Sequence, residues 1–340
     1  MNVAGLPNRF HETLLRVGLC LLFLLPAVAL AGNASGQIRS VGISPDGKLV
    51  AVAFQKGSSS FIYEIDVASG KATRLTDAAT GVESGPGFSP DGERIVFTYR
   101  QPGGPHSEIV LVNIDGSGLQ RWAPTGVNAF YPVLSPDTKS MVFGRSGFYG
   151  SYSPIAQPHL HAWRFYVSDL DGTNLRELTN ESFYAATAPS VSPDGKTMAL
   201  MTIGIDTPQQ IAIYSLDHPG KPLLALRPHV PREADHKEPI VDYPNYLPDG
   251  KSILFMAASN GKPWSGFDYD IYRVEIGTGI VERLTKGNGY ASDLKVSANG
   301  KIAVFLKWHS DWRGTPVRSE PYLLDVPSHK LSPLKISGLN

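Results

Sequence analysis

From about residue 37 to 336 the chain alternates short apolar and polar positions, the two-residue period of β-strands. No stretch of it sustains the 3.6-residue period of a helix packed on a core. The apolar runs are brief: Leu49-Val50-Ala51-Val52-Ala53-Phe54, Ile95-Val96-Phe97, Met141-Val142-Phe143, Met198-Ala199-Leu200, Ile253-Leu254-Phe255 and Ile302-Ala303-Val304-Phe305. Each follows the same turn phrase. It first reads Ile43-Ser44-Pro45-Asp46-Gly47-Lys48 and returns at Phe88, Leu134, Val191, Tyr246 and Val296, at intervals of 45, 46, 57, 55 and 50 residues. Pro presets the first corner of a type I turn, Asp hydrogen-bonds its own backbone, and Gly accepts the left-handed position. Thr138 replaces the glycine of the third copy, and Ala298-Asn299 replace Pro-Asp in the sixth. Those two turns are expected to be strained or differently shaped.

A second alternating hairpin follows each of these, running from Ile62 to Thr76, Ile109 to Trp122, Phe165 to Thr179, Ile211 to Leu226, Ile271 to Thr285 and Tyr322 to Leu334. A fixed phrase at this period marks a repeat fold. Two hairpins per repeat and six repeats predict an all-β, six-bladed β-propeller with four antiparallel strands per blade, closed so that only short edges remain. The blades are read at 37–76, 87–123, 132–179, 189–227, 243–285 and 293–336. Each uses contiguous chain, so no N-terminal strand is borrowed to complete the sixth.

The Ser-Pro-Asp-Gly-Lys turn, the strand ending in Phe and the Arg-Leu-Thr ending (Arg74 to Thr76, Arg283 to Thr285) resemble the TolB-type propeller repeat over roughly residues 37 to 336. The resemblance implies the fold and, through TolB-like propellers, an envelope lipoprotein as one kind of partner. TolB itself carries an α/β domain before its propeller, whereas here only Gly32 to Gly36 separate the expected cleavage point from the first strand. Prolyl oligopeptidases and dipeptidyl peptidases have similar propellers with a hydrolase domain, but no G-x-S-x-G elbow occurs in this sequence.

Ahead of the repeats the pattern changes. Arg9 and Arg16 lie in a polar lead, Val17 to Leu30 form an apolar run broken by Pro26, and Ala29-Leu30-Ala31 has the small-x-small form of a signal-peptidase site. A spanning helix needs about 20 apolar residues. Residues 1–31 therefore read as a signal peptide and 32–340 as one exported domain, periplasmic or secreted, with no membrane span after cleavage. Cys20 is the only cysteine and leaves with the leader, which removes disulfides, thiolate metal ligands and cysteine catalysis. Lys plus Arg and Asp plus Glu both number 31, so no charge imbalance suggests a nucleic acid partner.

With strands labelled A to D outward from the axis, the Ser-Pro-Asp-Gly turns and the C–D turns share one uniform face. The opposite face collects the insertions: B–C loops at Gly144 to Trp163, Met256 to Phe267 and Leu306 to Glu320, and a crossing from Pro228 to Asp242. Insertions gathered on one face of a repeat fold mark its binding face. Six of eight histidines beyond the leader lie there, His106 among them. The candidate binding residues are Tyr149, Tyr152, His159, His161, Trp163, His229, His236, Trp264, Asp268, Trp308, His309 and Trp312, against packing of the loops on themselves. His159 and His161 share one side of an extended segment, where both can approach one metal ion. Related oligogalacturonate lyases hold a metal over the axis with several histidines. The leading expectation is a monomeric, non-catalytic binding propeller of the bacterial envelope, without cofactor, holding a protein or a glycan. The rival is a small polysaccharide lyase using a divalent metal in a His-lined funnel.

Overall fold

The computed structural model describes residues 36–339 except 78–80, 102–105, 123–127, 151–158, 182, 205–206, 231–239, 263–265 and 311–315. At 148–150, 159–161, 259–262, 266–267, 310 and 316 it describes the backbone alone. The leader and its cleavage point lie outside the described residues.

Blade 1 comprises β1 (Gln37–Ile43), β2 (Leu49–Lys56), β3 (Ser59–Asp66) and β4 (Ala72–Arg74). Blade 2 comprises β5 (Val82–Phe88), β6 (Arg94–Arg100), β7 (Ser107–Asn113) and β8 (Gln120–Trp122). Blade 3 is β9 (Asn128–Leu134), β10 (Ser140–Gly150), β11 (His159–Asp169) and β12 (Arg176–Glu177). Blade 4 is β13 (Ala185–Val191), β14 (Thr197–Ile203), β15 (Gln210–Ser215) and β16 (Leu224–Leu226). Blade 5 is β17 (Val241–Tyr246), β18 (Ser252–Lys262), β19 (Gly266–Glu275) and β20 (Val281–Arg283). Blade 6 is β21 (Ala291–Val296), β22 (Ile302–Ser310), β23 (Pro316–Asp325) and β24 (Lys330–Pro333). Each blade is its own four-stranded antiparallel sheet of consecutive strands, and the described residues contain no helix.

The apolar runs follow from where the blades pack. Six hydrophobic cores fill the six spaces between successive blades, including the space between the last and the first. Neighbouring residues of one strand serve different cores: Phe97 packs toward blade 1 and Val96 toward blade 3. A strand buried on both faces must be apolar at successive positions.

The turn phrase has a side-chain logic. Ser44 Oγ donates to Asp46 Oδ1 at 2.8 Å and accepts the Leu49 N–H at 2.9 Å, while Asp46 Oδ1 accepts the Lys48 N–H at 3.1 Å. These bonds hold the Asp46 carboxyl down at about 2. Leu247 lacks the hydroxyl in blade 5, and there Ser252, on the far side of the turn, donates to Asp249 at 2.9 Å. Asn299 keeps the pattern in blade 6 by accepting from Ser297 at 2.8 Å, so that turn is not differently shaped. Thr138 occupies the glycine position at φ 58°. A β-branched residue is strained there, as expected for this copy. Replacing Thr138 by Gly is expected to raise stability by about 0.5–1 kcal/mol, the relief of strain less the entropy cost of glycine. Denaturant unfolding checks this; a lower midpoint would mean the threonine contributes contacts that outweigh its strain.

The Arg-Leu-Thr ending is equally specific. Thr76, Thr179 and Thr285 accept the N–H of Ile62, Phe165 and Ile271 at 3.0, 3.1 and 2.9 Å, joining the outer strand to the third. Arg74 and Arg283 fold back on the carbonyls of Thr76 and Thr285 at 2.7 and 3.0 Å.

Two expectations need correction. The innermost strands begin at Val82, Asn128, Ala185, Val241 and Ala291, earlier than the limits 87, 132, 189, 243 and 293. Pro86, Pro132, Pro189 and Pro244 lie inside β5, β9, β13 and β17, at their bulges. The long B–C insertions are also not loops: β10 and β11 stay paired from Ser140↔Asp169 to Gly150↔His159, and β18/β19 and β22/β23 lengthen in the same way. Continued pairing satisfies the backbone polar groups of the inserted residues, which an open loop leaves to solvent. Three hairpin arms therefore rise from blades 3, 5 and 6.

Among the described residues the sheet of blade 6 consists of the four consecutive strands β21 to β24. The seam between blades 6 and 1 is stitched by side chains and by the tail. Asp293 Oδ2 accepts the Val41 N–H at 2.6 Å, Ser319 Oγ donates to the Ile38 carbonyl, and Asn299 donates to the carbonyls of Pro45 and Asp46 at 3.2 and 3.1 Å. Past β24, Ser337 donates to Gly70 O at 2.8 Å and accepts from Ala72 N at 2.9 Å.

Candidate functional site

The arms and the axis carry the polar residues that the repeat does not explain. In the blade 3 arm, His161 and His159 stand opposite Phe148 and Gly150, and Tyr149 opposite Leu160. The side chains of Tyr149, His159 and His161 lie outside the described residues, as do Tyr152, His236, Trp264 and Trp312. Trp163, at the base of this arm, is fully buried, with Phe130 edge-on at 5.5 Å and Tyr131 tilted at 5.8 Å. Trp308 is 7% exposed and donates its indole N–H to Ser292 Oγ at 2.8 Å, with the Arg39 guanidinium 5.9 Å from its ring centre. Both tryptophans pack on the body of the propeller. His309 follows Trp308 and meets Glu320 across the arm at 3.0 Å, a carboxylate that Arg318 also engages. Asp268 is half-buried opposite Asn260, and His229 and His106 are exposed. Among the described residues no three His, Cys, Asp or Glu side chains gather as a metal set.

The axis holds a cluster that sequence reasoning missed. Innermost strands β1, β5, β9, β13, β17 and β21 contact one another in turn around the ring. Each is bulged mid-strand against its partner. In five of the six the bulge carries a left-handed residue: Gly85, Tyr131, Ala188, Tyr243 and Asp293, at φ between 51° and 62°. Four of these precede a proline, three residues before the turn serine or its Leu247 equivalent. Bulges re-aim side chains, and left-handed non-glycine residues concentrate at functional positions.

Burial, and after it the charges of Asp242 and Asp293, push the Tyr131 and Tyr243 hydroxyls well above the usual tyrosine range. Blade 3 stands opposite blade 6 in the ring, and the charge of Asp293 adds to the rise at Tyr131. Burial raises Asp293 to about 6, opposed by the Lys295 charge and the Val41 N–H. Burial also lowers Lys295, and Asp293 opposes that. Ser40, Gly85 and Ala188 stand four residues before the turn serines of blades 1, 2 and 4, as Tyr131 does before Ser135.

The TolB beta propeller domain family matches residues 27–151. A relative of uncharacterized function from Agrobacterium fabrum is 32% identical over 162 residues, 46% of this chain and 52% of that protein. The Tol-Pal system protein TolB of Francisella tularensis is 32% identical over 78 residues, 23% of this chain and 18% of that protein. The chain thus spans about half of the first curated relative and under a fifth of the second. Among solved structures, TolB from Acinetobacter baumannii superposes with a TM-score of 0.58 at 19% identity, covering 98% of this chain and 71% of that one. An oligogalacturonate lyase in complex with manganese gives 0.55 at 16% identity, covering 86% and 75%. Both likenesses speak to the fold. By its repeat and its architecture, the chain is a six-bladed β-propeller, similar in fold to TolB.

Proposed function

We propose that the protein is an exported, non-catalytic binding propeller of the bacterial envelope that holds a partner protein between its arms, over the mouth of the axial channel. The observation that carries this reading is the asymmetry of the two faces. One consists of near-identical turns, while the other bears three arms lengthened by continued pairing. Folding requires only the few residues of an ordinary hairpin connection, so arms of this length serve something besides closure of the blades. The similarity to TolB, a protein named for the Tol-Pal system, favours an envelope protein over a glycan.

The test replaces residues 148–161 by Asn-Gly, which shortens the blade 3 arm, beside a milder double variant, His159→Ala with His161→Ala. Partners cross-linked in the envelope fraction are expected to fall about tenfold or more in both, with the melting temperature within a few degrees of wild type. Unchanged cross-linking in both variants would refute the binding face. Near-stoichiometric divalent metal in the purified protein, lost from the double variant, would move the function to the metal-assisted lyase.

A further inference from the structure

Of the large apolar side chains exposed among the described residues, all but Val317 stand at one place in the repeat, the entry to the outermost strand. Leu119 immediately precedes β8, Leu175 precedes β12, Leu223 and Leu224 stand at the start of β16, and Ile280 precedes β20. Ile280 is 67% exposed and Leu223 64%. Scattered surface leucines need no explanation, but these recur at the equivalent position of four successive blades, 2 to 5. Blade 1 has Lys71 there, bridged to the tail at Ser337, and blade 6 has His329. In an antiparallel meander the A–B and C–D turns end on the same side, so this arc borders the uniform turn face, opposite the arms.

We propose that the turn face is the contact between two copies of this chain, related by a twofold axis that lies in the face and passes between blades 3 and 4. A twofold contact sets one patch against itself. Of the in-plane twofold axes open to a six-bladed ring, only this one lays the aliphatic arc on itself: blade 3 meets blade 4 of the second copy, and blade 2 meets blade 5. Leu175 is thereby set toward Leu223, and Leu119 toward Ile280. The charges agree with the same axis. The last position of the turn phrase is Lys48, Lys139, Lys196, Lys251 and Lys301 in five blades, and Glu93 in blade 2 alone. The axis turns the exposed Glu93 toward the exposed Lys251, and Asp46 of blade 1 toward Lys301 of blade 6. Lys139 and Lys196, which meet across blades 3 and 4, are each accompanied by an acid, Asp137 and Asp194. Facing charges of opposite sign fix the register of an interface. A lipid surface favours an excess of Lys and Arg, whereas here base and acid alternate from turn to turn. The pairing is independent of what the arms hold, and it leaves both sets of arms pointing outward.

Sedimentation velocity of the purified exported protein, over about 1–100 μM, reads its mass and self-affinity. A concentration-dependent dimer is expected. Leu223→Asp with Ile280→Asp changes only exposed side chains and should weaken the dimer about tenfold or more, with circular dichroism and melting temperature unchanged. Glu93→Lys and Lys251→Glu should each weaken it by setting like charges face to face, and the two combined should restore it. That rescue distinguishes this register from a rim that is merely adhesive. A wild type that stays monomeric throughout, aspartate variants that dimerise like wild type, or a combined charge reversal that rescues nothing would overturn the proposal. Flotation with vesicles of phosphatidylethanolamine and phosphatidylglycerol completes the test: monomeric wild type that floats, and aspartate variants that do not, would assign the arc to a lipid surface instead. Shortening the blade 3 arm should leave the dimer intact, so the binding face and the dimer can fail separately.

Discussion

Removing residues 335–340 is expected to lower stability by about 3 kcal/mol. The truncation deletes the paired bonds of Ser337 with Gly70 and Ala72, at about 1 kcal/mol each, and uncovers the core shared by blades 6 and 1, against which Ile336 and Leu339 pack. In a domain of this size the melting temperature should fall by several degrees. Removing 320–340 should do far more. It takes away β24 and half of β23, leaves Phe305 and Leu306 without their cover, and opens the ring at an unpaired edge. The longer truncation should be insoluble or unfold without cooperativity. A shorter one that melts like wild type would show that the seam is held by Asp293, Ser319 and Asn299 alone.

Glu83 should make stability fall as pH rises from acidic toward neutral. It is 2% exposed at the contact of blades 1 and 2, where its carboxylate accepts from Thr76 Oγ1 at 2.5 Å and Ile62 N at 3.0 Å. Burial outweighs these bonds and raises it from 4.5 to about 7. A group whose proton is held more tightly in the folded state stabilises fully below its unfolded value and ceases to do so as pH rises through its folded value. The window here is about 4.5 to 7, and at about 1.4 kcal/mol per pH unit the loss is of order 3 kcal/mol. Glu83→Gln keeps the acceptor and cannot ionise. It should be near neutral at pH 5 and stabilising by about 2–3 kcal/mol at pH 8. Equal effects at both pH values would mean that Glu83 ionises without penalty.

The blades were legible because their turns need particular chemistry. Ser44, Asp46 and Gly47 each have a bond or a dihedral to satisfy, and the requirement recurs with every blade. The arms were legible in position and not in form. Gly144 to Trp163 is rich in Gly, Ser and Tyr, and nothing local distinguishes a loop from a hairpin whose ladder runs on. The axial residues were hidden for a different reason. A residue before proline is normally driven out of the helical region into extended backbone, so Tyr131-Pro132 and Tyr243-Pro244 read as ordinary strand or turn. Their left-handed conformation is imposed by pairing with β10 and β18. The signal was the recurrence of a residue-Pro pair three positions before the turn. Glu83 gave none, because its burial depends on the neighbouring blade.

The arms also bear on orientation. A ring of six equal blades offers a visitor six equivalent rotations about its axis, and a contact made in one could be made in all. Arms on blades 3, 5 and 6 remove that degeneracy. Their spacing is uneven, with blade 4 low between two of them and blades 1 and 2 forming one broad gap. On the binding reading proposed above, a partner lowered onto this face would meet walls on one side and an opening on the other, and would seat in a single rotational register. The pseudo-symmetric fold thereby acquires a front and a back.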